Sequence, residues 1–163
     1  MQTVLFLILG SVFLGFGLVV FFGAPYVPVL SAQKFHALEL LSLKPGDTLL
    51  ELGCGDGRMV AAAAASGLRV VGYELNPFLA LYAWLRTRKY RKNVTIIWGN
   101  YWTKPWPKVE GIYVFLLDKY MKKLDNKIMQ TYAPGRVRLV SFAFKVPGKK
   151  PVKSSRGLFL YQY

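Results

Sequence analysis

A glycine-rich segment, Glu51-Leu52-Gly53-Cys54-Gly55-Asp56-Gly57, constrains the fold more than any other part of the chain. It follows a short apolar stretch, Thr48 to Leu52, and precedes an alanine-rich stretch, Arg58 to Ser66. These two stretches are typical of a buried strand and a helix. Glycines between such elements let the backbone come close to a bound nucleotide. The segment therefore predicts a nucleotide-type site at the carboxyl end of a buried strand.

The residues around the glycines exclude two common nucleotide motifs and favour a cationic ligand. The dinucleotide motif G-x-G-x-x-G needs a glycine where Arg58 stands, and no Gly-Lys-Ser/Thr follows to make a phosphate-binding loop. Glu51 instead precedes the glycines, and Glu74 ends the next predicted strand. A carboxylate near the loop disfavours a pyrophosphate, and an acid at a strand end can accept hydrogen bonds from ribose hydroxyls. Together they predict S-adenosylmethionine, a sulfonium nucleoside without phosphate, although Glu74 alone would also suit a solvated strand end.

Strands and helices alternate along most of the chain. Strands are predicted at residues 48–52, 69–74, 94–98, 112–117, 137–144 and 158–162, and helices at 31–43, 58–66, 76–91 and 119–132. This order predicts an α/β fold with a largely parallel sheet covered by helices on both faces. The last two strands have no helix between them and are expected to pair antiparallel. The basic, proline-containing residues 145–156 are predicted to form a mobile loop.

The N-terminal segment Thr3 to Phe22 contains no charge and no proline. As a helix it would be about 30 Å long, which matches the apolar core of a bilayer. A cleavable signal peptide is the alternative, but it would want a basic start, a shorter apolar run and a small-residue cleavage site. We expect a transmembrane anchor at residues 1–24, a linker and helix at 25–47, and the main domain at 48–163. Lys34 and Lys44 follow the apolar run and nothing basic precedes it, so the main domain is expected on the cytoplasmic side.

Charge and metal-ligating residues narrow the possible partners. The chain has 22 Lys and Arg against 8 Asp and Glu, a formal net charge of +14, which favours an anionic neighbour such as lipid head groups or nucleic acid. Cys54 is the single cysteine and His36 the single histidine, so neither a disulfide within the chain nor a Cys/His metal site is expected.

Several motifs carry a resemblance to a known family. E-L-G-C-G-D-G and Y-E-L-N-P resemble class I S-adenosylmethionine-dependent methyltransferases. The ordered set P-Y-V-P, K-P-G-D-T-L-L-E-L-G-C-G-D-G-R, G-Y-E-L-N-P, G-N-Y-W and V-F-L-L-D-K-Y-M-K-K-L is similar to a narrower family of protein lysine methyltransferases. That family includes the archaeal broad-specificity enzyme and the mitochondrial enzymes acting on the ATP synthase c-subunit and the adenine nucleotide translocase. The resemblance implies a Rossmann-like class I methyltransferase fold, S-adenosylmethionine as cofactor and a protein lysine as acceptor.

The resemblance also assigns roles to single residues. Glu51, Gly53 and Gly55 would hold the methionine end of the cofactor, Glu74 the ribose and Asn100 the adenine region. The full predicted set of cofactor-binding residues is Glu51, Gly53, Gly55, Asp56, Glu74, Asn76, Asn100 and Tyr101. Relatives usually have an acid at position 100, but an asparagine can still hydrogen bond to an adenine amine.

Few catalytic groups are expected, because burial beside a sulfonium lowers the pKa of an acceptor lysine. The candidates are Tyr26, in a segment that resembles the cover of the acceptor channel, and Asp118, which could orient the amine. Their alternatives are an interfacial anchor for Tyr26 and a helix cap for Asp118. Phe115-Leu116-Leu117-Asp118 stands where many DNA adenine and glutamine methyltransferases have Asn/Asp-Pro-Pro-Tyr, which disfavours a nucleic-acid base as acceptor.

The sequence thus predicts a membrane-anchored methyltransferase acting on protein lysines. Two alternatives stay open: a nucleic-acid or small-molecule methyltransferase with a basic surface, and a non-enzymatic membrane scaffold on the same fold.

Overall fold

The computed structural model describes residues 2–7, 10 and 31–163. Residues 2–7 and 10 are helical. Most of the predicted span Thr3 to Phe22, and the whole linker with Tyr26 and Pro28, lie outside the described residues. Among the residues that are described, no helix combines the length and the apolar content needed to cross a bilayer.

The main domain is built on one sheet of seven strands in the order β3-β2-β1-β4-β5-β7-β6. Strands β1 to β5 pair in parallel, β7 pairs antiparallel to β5, and β6 pairs antiparallel to β7. This confirms the predicted α/β fold with an antiparallel final strand. The strands are β1 Thr48–Leu52, β2 Arg69–Glu74, β3 Val94–Trp98, β4 Gly111–Phe115, β5 Arg138–Phe142, β6 Lys153–Ser155 and β7 Leu158–Gln162.

Helices cover both faces of the sheet. They are α1 Ser31–Leu41, α2 Arg58–Ala65, α3 Pro77–Thr87, which continues as a 3-10 turn at Arg88–Tyr90, and α4 Asp118–Thr131. Successive strand residues point to opposite faces, so Leu49 packs with α1, α2 and α3, whereas Leu50 packs with α4. The sheet therefore separates two apolar cores.

Several predicted element ends differ from the structure for local reasons. Helix α1 ends at Leu41 because Ser42 adopts a left-handed φ of 49° and Arg138 Nη1 donates to the Leu41 carbonyl oxygen at 2.8 Å. Helix α3 ends at Thr87, where the chain tightens into the 3-10 turn. Strand β5 ends at Phe142 because Ala143 has a φ of 68°.

The prediction that residues 145–156 form a mobile loop is wrong in that part of the segment is a strand. They contain β6, which pairs with the outer edge of β7. Val146 is buried, and Lys149 Nζ lies 2.7 Å from Asp125 Oδ1 on α4. The pairing partner and the ion-pair partner are both distant in sequence, so the local basic composition does not show either.

Candidate functional site

The glycine loop crosses the carboxyl ends of β1 and β2. The backbone N–H groups of Gly53 and Cys54 donate to the Tyr73 carbonyl oxygen at 2.9 and 2.8 Å. Gly53, Gly55 and Gly57 have φ values of 80°, 54° and 75°, a left-handed conformation that glycine adopts without steric cost. The loop therefore lies at the sheet edge where open α/β sheets bind ligands.

Two of these glycines serve different purposes. A Cβ at Gly57 would lie 2.8 Å from the Ala83 Cβ, so Gly57 allows α2 and α3 to pack closely. A Cβ at Gly53 would have no atom of the described residues within 4 Å. Gly53 is exposed, so a ligand can approach its backbone closely.

Glu74 connects the glycine loop to the start of α3. Its Oε2 accepts a hydrogen bond from the Gly55 N–H at 2.8 Å, and its Oε1 accepts one from the Asn76 N–H at 2.9 Å. Burial raises the pKa of this carboxyl, although hydrogen bonds from the backbone of Asn76, Gly55 and Leu75 oppose the rise. The structure brings three predicted site residues, Glu74, Gly55 and Asn76, into direct contact.

Asn76 is the N-cap of α3. Its Oδ1 accepts hydrogen bonds from the Phe78 and Leu79 N–H groups at 2.9 and 3.3 Å. Its Nδ2 is buried and has no hydrogen-bond partner in the described part of the chain. The cap thus leaves one amide donor for a ligand.

Glu51 and Tyr113 are buried polar residues on the adjacent strands β1 and β4. They are register partners in the β1–β4 pairing, and both are almost fully buried. Neither Glu51 Oε2 nor the Tyr113 hydroxyl has a hydrogen-bond partner among the described residues. Burial, and then the carboxylates of Glu74 and Asp56, raise the pKa of Glu51 well above its usual value, while the Val60 N–H opposes the rise. Buried polar atoms without partners are rare and indicate a site for a ligand or water.

Asp56 belongs to the framework of the loop. Arg58 Nη2 and Arg86 Nη2 lie 2.7 and 3.0 Å from its Oδ2. Burial alone would raise the pKa of Asp56, but the hydrogen bond from Arg58 and the charges of Arg86 and Arg58 outweigh it, so the pKa is lowered. Its carboxylate ties the loop to α2 and α3.

The turn after β3 lies beside Glu74. The Gly99 N–H donates to the Glu74 carbonyl oxygen at 2.8 Å, and Asn100 Oδ1 accepts from the Trp102 N–H at 2.9 Å. Tyr101 is half-buried against Trp102, with ring centroids 4.8 Å apart. Burial raises the pKa of the Tyr101 hydroxyl, and the nearby Tyr120 and Glu74 add smaller contributions to the rise. Asn100 and Tyr101 therefore lie in one turn next to the predicted ribose-binding carboxylate.

Lys127 on α4 holds this turn in place, and the sequence pattern does not reveal it. Its Nζ donates to the carbonyl oxygens of Trp102 at 2.7 Å, Tyr101 at 3.2 Å and Lys104 at 3.4 Å. Tyr113, Arg86 and Lys127 were all missed because each reaches the site from an element distant in sequence. The phenol within the otherwise apolar strand β4 was the one local signal for Tyr113.

Two further residues, Asp118 and Cys54, can be assessed from their surroundings. Asp118 is the exposed first residue of α4, and the N-cap is Leu117, so the alternative role of Asp118 as a helix cap is wrong. Burial and the carboxylates of Glu51 and Glu74 raise the pKa of the Cys54 thiol, which does not suit a nucleophile. Across the described residues, no group of acidic, Cys and His side chains could hold a metal ion.

Comparison with known proteins identifies relatives of the whole domain. The chain is 32% identical over 131 residues to the ATP synthase c-subunit lysine N-methyltransferase of Xenopus laevis, covering 78% of this chain and 56% of that protein. It is 34% identical over 131 residues to the adenine nucleotide translocase lysine N-methyltransferase of Mus musculus, with the same coverage. A protein-lysine N-methyltransferase of Saccharolobus islandicus is 29% identical, and the match covers 81% of its length. The chain thus spans little more than half the length of the first two relatives.

Solved structures share the fold. An RNA methyltransferase from Salinibacter ruber, in complex with S-adenosyl-L-homocysteine, is 27% identical, with a TM-score of 0.76 over 84% of this chain and 92% of that chain. A family model for the ANTKMT methyltransferase domain matches residues 51–153, which include the glycine loop, Glu74 and the turn after β3. The chain therefore belongs to the ANTKMT methyltransferase domain family.

Proposed function

We propose that this chain is an S-adenosylmethionine-dependent methyltransferase that modifies lysine side chains of proteins. The observation that carries the proposal is the glycine loop, whose Gly55 N–H donates to Glu74 and whose Gly53 backbone is exposed, in a chain related to named lysine methyltransferases. The relatives' names support the substrate class, and the geometry of the glycine loop supports the position of the cofactor site.

The residues present fit this cofactor. Glu51 Oε2 and Asn76 Nδ2 are a buried acceptor and a buried donor without partners among the described residues. Two buried carboxylates, Glu51 and Glu74, favour a cationic ligand over a phosphate. When bound, S-adenosylmethionine supplies an electrophilic methyl group on a sulfonium.

The residues of the chain bind the cofactor and orient it. Both oxygens of Glu74 already accept backbone hydrogen bonds, but each carboxylate oxygen has further lone-pair capacity, so Glu74 can also accept ribose hydroxyls. Glu51, Gly53 and Gly55 would hold the methionine end, and Asn100 with Tyr101 the adenine region. Catalysis then depends mainly on alignment and on exclusion of water.

An aromatic group beside the cofactor site suits the acceptor. Trp102 lies 4.8 Å from Tyr101 and 6.3 Å from Tyr120 between ring centroids. Such rings pack against the apolar stem of a lysine and attract its methylated ammonium. Asp118, at the start of α4, remains the candidate for orienting the amine, together with Tyr26 in the N-terminal segment.

We also propose that the N-terminal apolar segment anchors the chain as a single span, with the methyltransferase domain on the cytoplasmic side. The uncharged run Thr3 to Phe22 and the basic residues that follow it support this location. An anchor raises the local concentration of membrane-protein substrates. Anionic lipid head groups are then the natural partner of the net charge of +14.

The test supplies the full chain and radiolabelled S-adenosylmethionine to membranes from cells that lack the chain. Mass spectrometry of the labelled material identifies the modified residues. We expect label on protein lysines, strong loss of label with Glu74→Gln, and normal label with the control Glu39→Gln, an exposed acid on α1.

RNA is the second candidate substrate. The similarity to the Salinibacter ruber RNA methyltransferase and the positive charge support it. Label in RNA rather than in protein would establish this function instead. Absence of label, together with no binding of S-adenosylmethionine or S-adenosylhomocysteine in calorimetry, would leave a non-enzymatic membrane scaffold.

A further inference from the structure

Helix α3 exposes its large apolar side chains and buries its small ones. The buried face consists of Ala80, Ala83 and Thr87. The large side chains are between 40% and 56% exposed and belong to Phe78, Leu81, Tyr82, Trp84 and Leu85. A helix at the surface of a soluble domain normally shows the opposite arrangement. The outer face of α3 is therefore suited to contact an apolar surface of another molecule or of a membrane.

Four of the exposed side chains share one stripe of α3, and two tryptophans are exposed near it. Phe78, Leu81, Tyr82 and Leu85 follow the spacing i, i+3, i+4, i+7, which places them in a single stripe along the helix. Trp98 on the edge strand β3 is 65% exposed, and its Nε1 donates to the Leu75 carbonyl oxygen just before α3. The stripe together with Trp84 and Trp98 is called the α3 patch below. A group of exposed large apolar side chains of this kind marks a site of interaction.

A group of cations follows the α3 patch directly. Arg88, Lys89, Arg91 and Lys92 are exposed, and none of them forms an ion pair with an acidic residue in the part of the chain that the structure describes. The sequence from Pro77 to Lys92 contains no acidic residue. The apolar stripe therefore ends in unneutralised positive charge.

The exposed apolar side chains of the α3 patch and the cations that follow it favour one kind of partner, an anionic bilayer. Leucine and aromatic side chains beside Lys and Arg are the composition of helices that lie in the surface of an anionic bilayer. A nucleic acid would use the cations and the aromatic rings but not the exposed leucines. A second copy of this chain would bring two bodies of charge +14 together, which disfavours self-association through a basic face.

We propose that the α3 patch docks on an anionic lipid bilayer, with Arg88, Lys89, Arg91 and Lys92 on the head groups. The proposal rests on the membrane location proposed above and assigns its contact surface. Asn76 caps α3 and bonds to Glu74, so docking places the cofactor site close to the bilayer surface. Lysines of membrane proteins at the level of the head groups would then lie within reach of the site.

The experiment places a polarity-sensitive fluorophore on Leu81→Cys in the full chain, reconstituted in vesicles of phosphatidylcholine with or without phosphatidylserine. The control label is on Gln130→Cys, which lies on the exposed side of α4 on the opposite face of the sheet. The unsubstituted chain, whose single cysteine Cys54 is buried, measures how much fluorophore attaches without either introduced cysteine. Leu81 is exposed, so its replacement leaves the core intact.

With phosphatidylserine present, we expect a blue shift and a fall of roughly threefold or more in iodide quenching at position 81, and neither at position 130. High salt, or the combined substitution Arg88→Gln, Lys89→Gln, Arg91→Gln and Lys92→Gln, should reverse both effects. The readout is local, so it depends neither on how the N-terminal segment holds the chain nor on catalysis. A chain that docks but methylates no lysine would refute the proposed function alone.

Three results would overturn the docking proposal. The first is a probe at position 81 that stays as accessible to iodide as the one at position 130 in both kinds of vesicle. The second is shielding of position 81 by an RNA oligonucleotide but not by vesicles. The third is a shift that grows with protein concentration in detergent without lipid, which would assign the patch to a second copy.

Discussion

The two carboxylates beneath the glycine loop differ in how well their oxygens are hydrogen-bonded. Both oxygens of Glu74 accept backbone N–H groups, whereas Glu51 Oε2 has no partner within the described residues. An ionised carboxylate that is buried and incompletely bonded costs folding free energy. Glu51 is therefore expected to bind the ligand but to lower the stability of the ligand-free fold.

The substitution Glu51→Gln tests this at the residue scale. The raised pKa of Glu51 means that the folded chain takes up a proton more readily than the unfolded chain, so its contribution to stability is lost as pH rises through that pKa. The variant escapes this loss, so its free energy of unfolding at about pH 8 should exceed that of the parent chain by about 0.5–2 kcal/mol. Urea titrations without cofactor should show the difference shrinking in acid, while calorimetry shows weaker cofactor binding. Equal stabilities at both pH values would contradict the expectation.

Gly57→Ala and Gly53→Ala form a matched pair. Both positions have left-handed φ values, so each alanine costs about 1–2 kcal/mol in strain. At Gly57 the new Cβ would also lie 2.9 Å from the Ala83 Cα, and the total loss should reach about 3 kcal/mol or more. At Gly53 the methyl group would contact no atom of the described residues but would lie on the exposed side of the predicted cofactor loop, so the main effect should be on binding of S-adenosylhomocysteine. Thermal denaturation and calorimetry separate the two; equal losses of stability would refute the assignment.

At the scale of elements, α4 supports the turn after β3 through Lys127. The substitution Lys127→Met removes hydrogen bonds to three carbonyl oxygens and should weaken cofactor affinity about tenfold. Because Lys127 positions the turn and does not touch the reacting atoms, the rate at saturating cofactor should change little. Lys123→Met is the control, because Lys123 also contacts this turn from α4 but does so through the Trp102 ring, with its Nζ 4.4 Å from the ring centroid. An equal effect of both substitutions would argue against a positioning role.

Asp125 joins α4 to the segment before β6 and to the C-terminal residue. Its Oδ1 accepts hydrogen bonds from Lys149 Nζ and the Tyr163 hydroxyl, both at 2.7 Å. Asp125→Asn should lower the free energy of unfolding by about 1–3 kcal/mol at neutral pH. Lys122→Gln is the control, because Lys122 is largely exposed and 3.7 Å from Asp125.

The pH dependence of the Asp125 effect has a defined sign. Burial alone would raise the pKa of Asp125, but the hydrogen bonds from Lys149 and Tyr163 outweigh it and lower the pKa. Its contribution to stability is therefore present above the unfolded-state pKa and is lost as pH falls through the lowered value. Urea titrations should show parent and variant converging only in strong acid; convergence near neutrality would contradict this.

Elements bounded by local signals are the ones that the sequence predicts well. Strands β1, β2, β3 and β7 have their predicted bounds, because a glycine lies within two residues of one end of each strand: Gly53, Gly67, Gly99 and Gly157. Strand β6 escapes prediction because it forms only by pairing with β7. The site divides in the same way: Glu51, Gly53 and Glu74 follow from a local pattern, but Tyr113 and Lys127 depend on strand register and on helix packing across the sheet.

For the molecule as a whole, α1, α2 and α3 pack on one face of the sheet and α4 on the other. Helix α1 follows the predicted linker from the N-terminal segment, so the chain enters the domain on the face that carries the α3 patch. If the proposed anchor tethers the domain from this side, the exposed apolar side chains of α3 and the basic residues after it can contact the same bilayer.

The two hydrogen bonds of Glu74 have a thermodynamic consequence. One carboxylate fixes both the Gly55 amide in the predicted cofactor loop and the Asn76 amide at the start of α3. A bilayer contact that shifts α3 is therefore expected to change the free energy of cofactor binding. Reciprocity then requires the cofactor to change bilayer affinity by the same factor. Vesicle titrations with and without S-adenosylhomocysteine would measure that factor as an allosteric coupling between lipid and nucleoside.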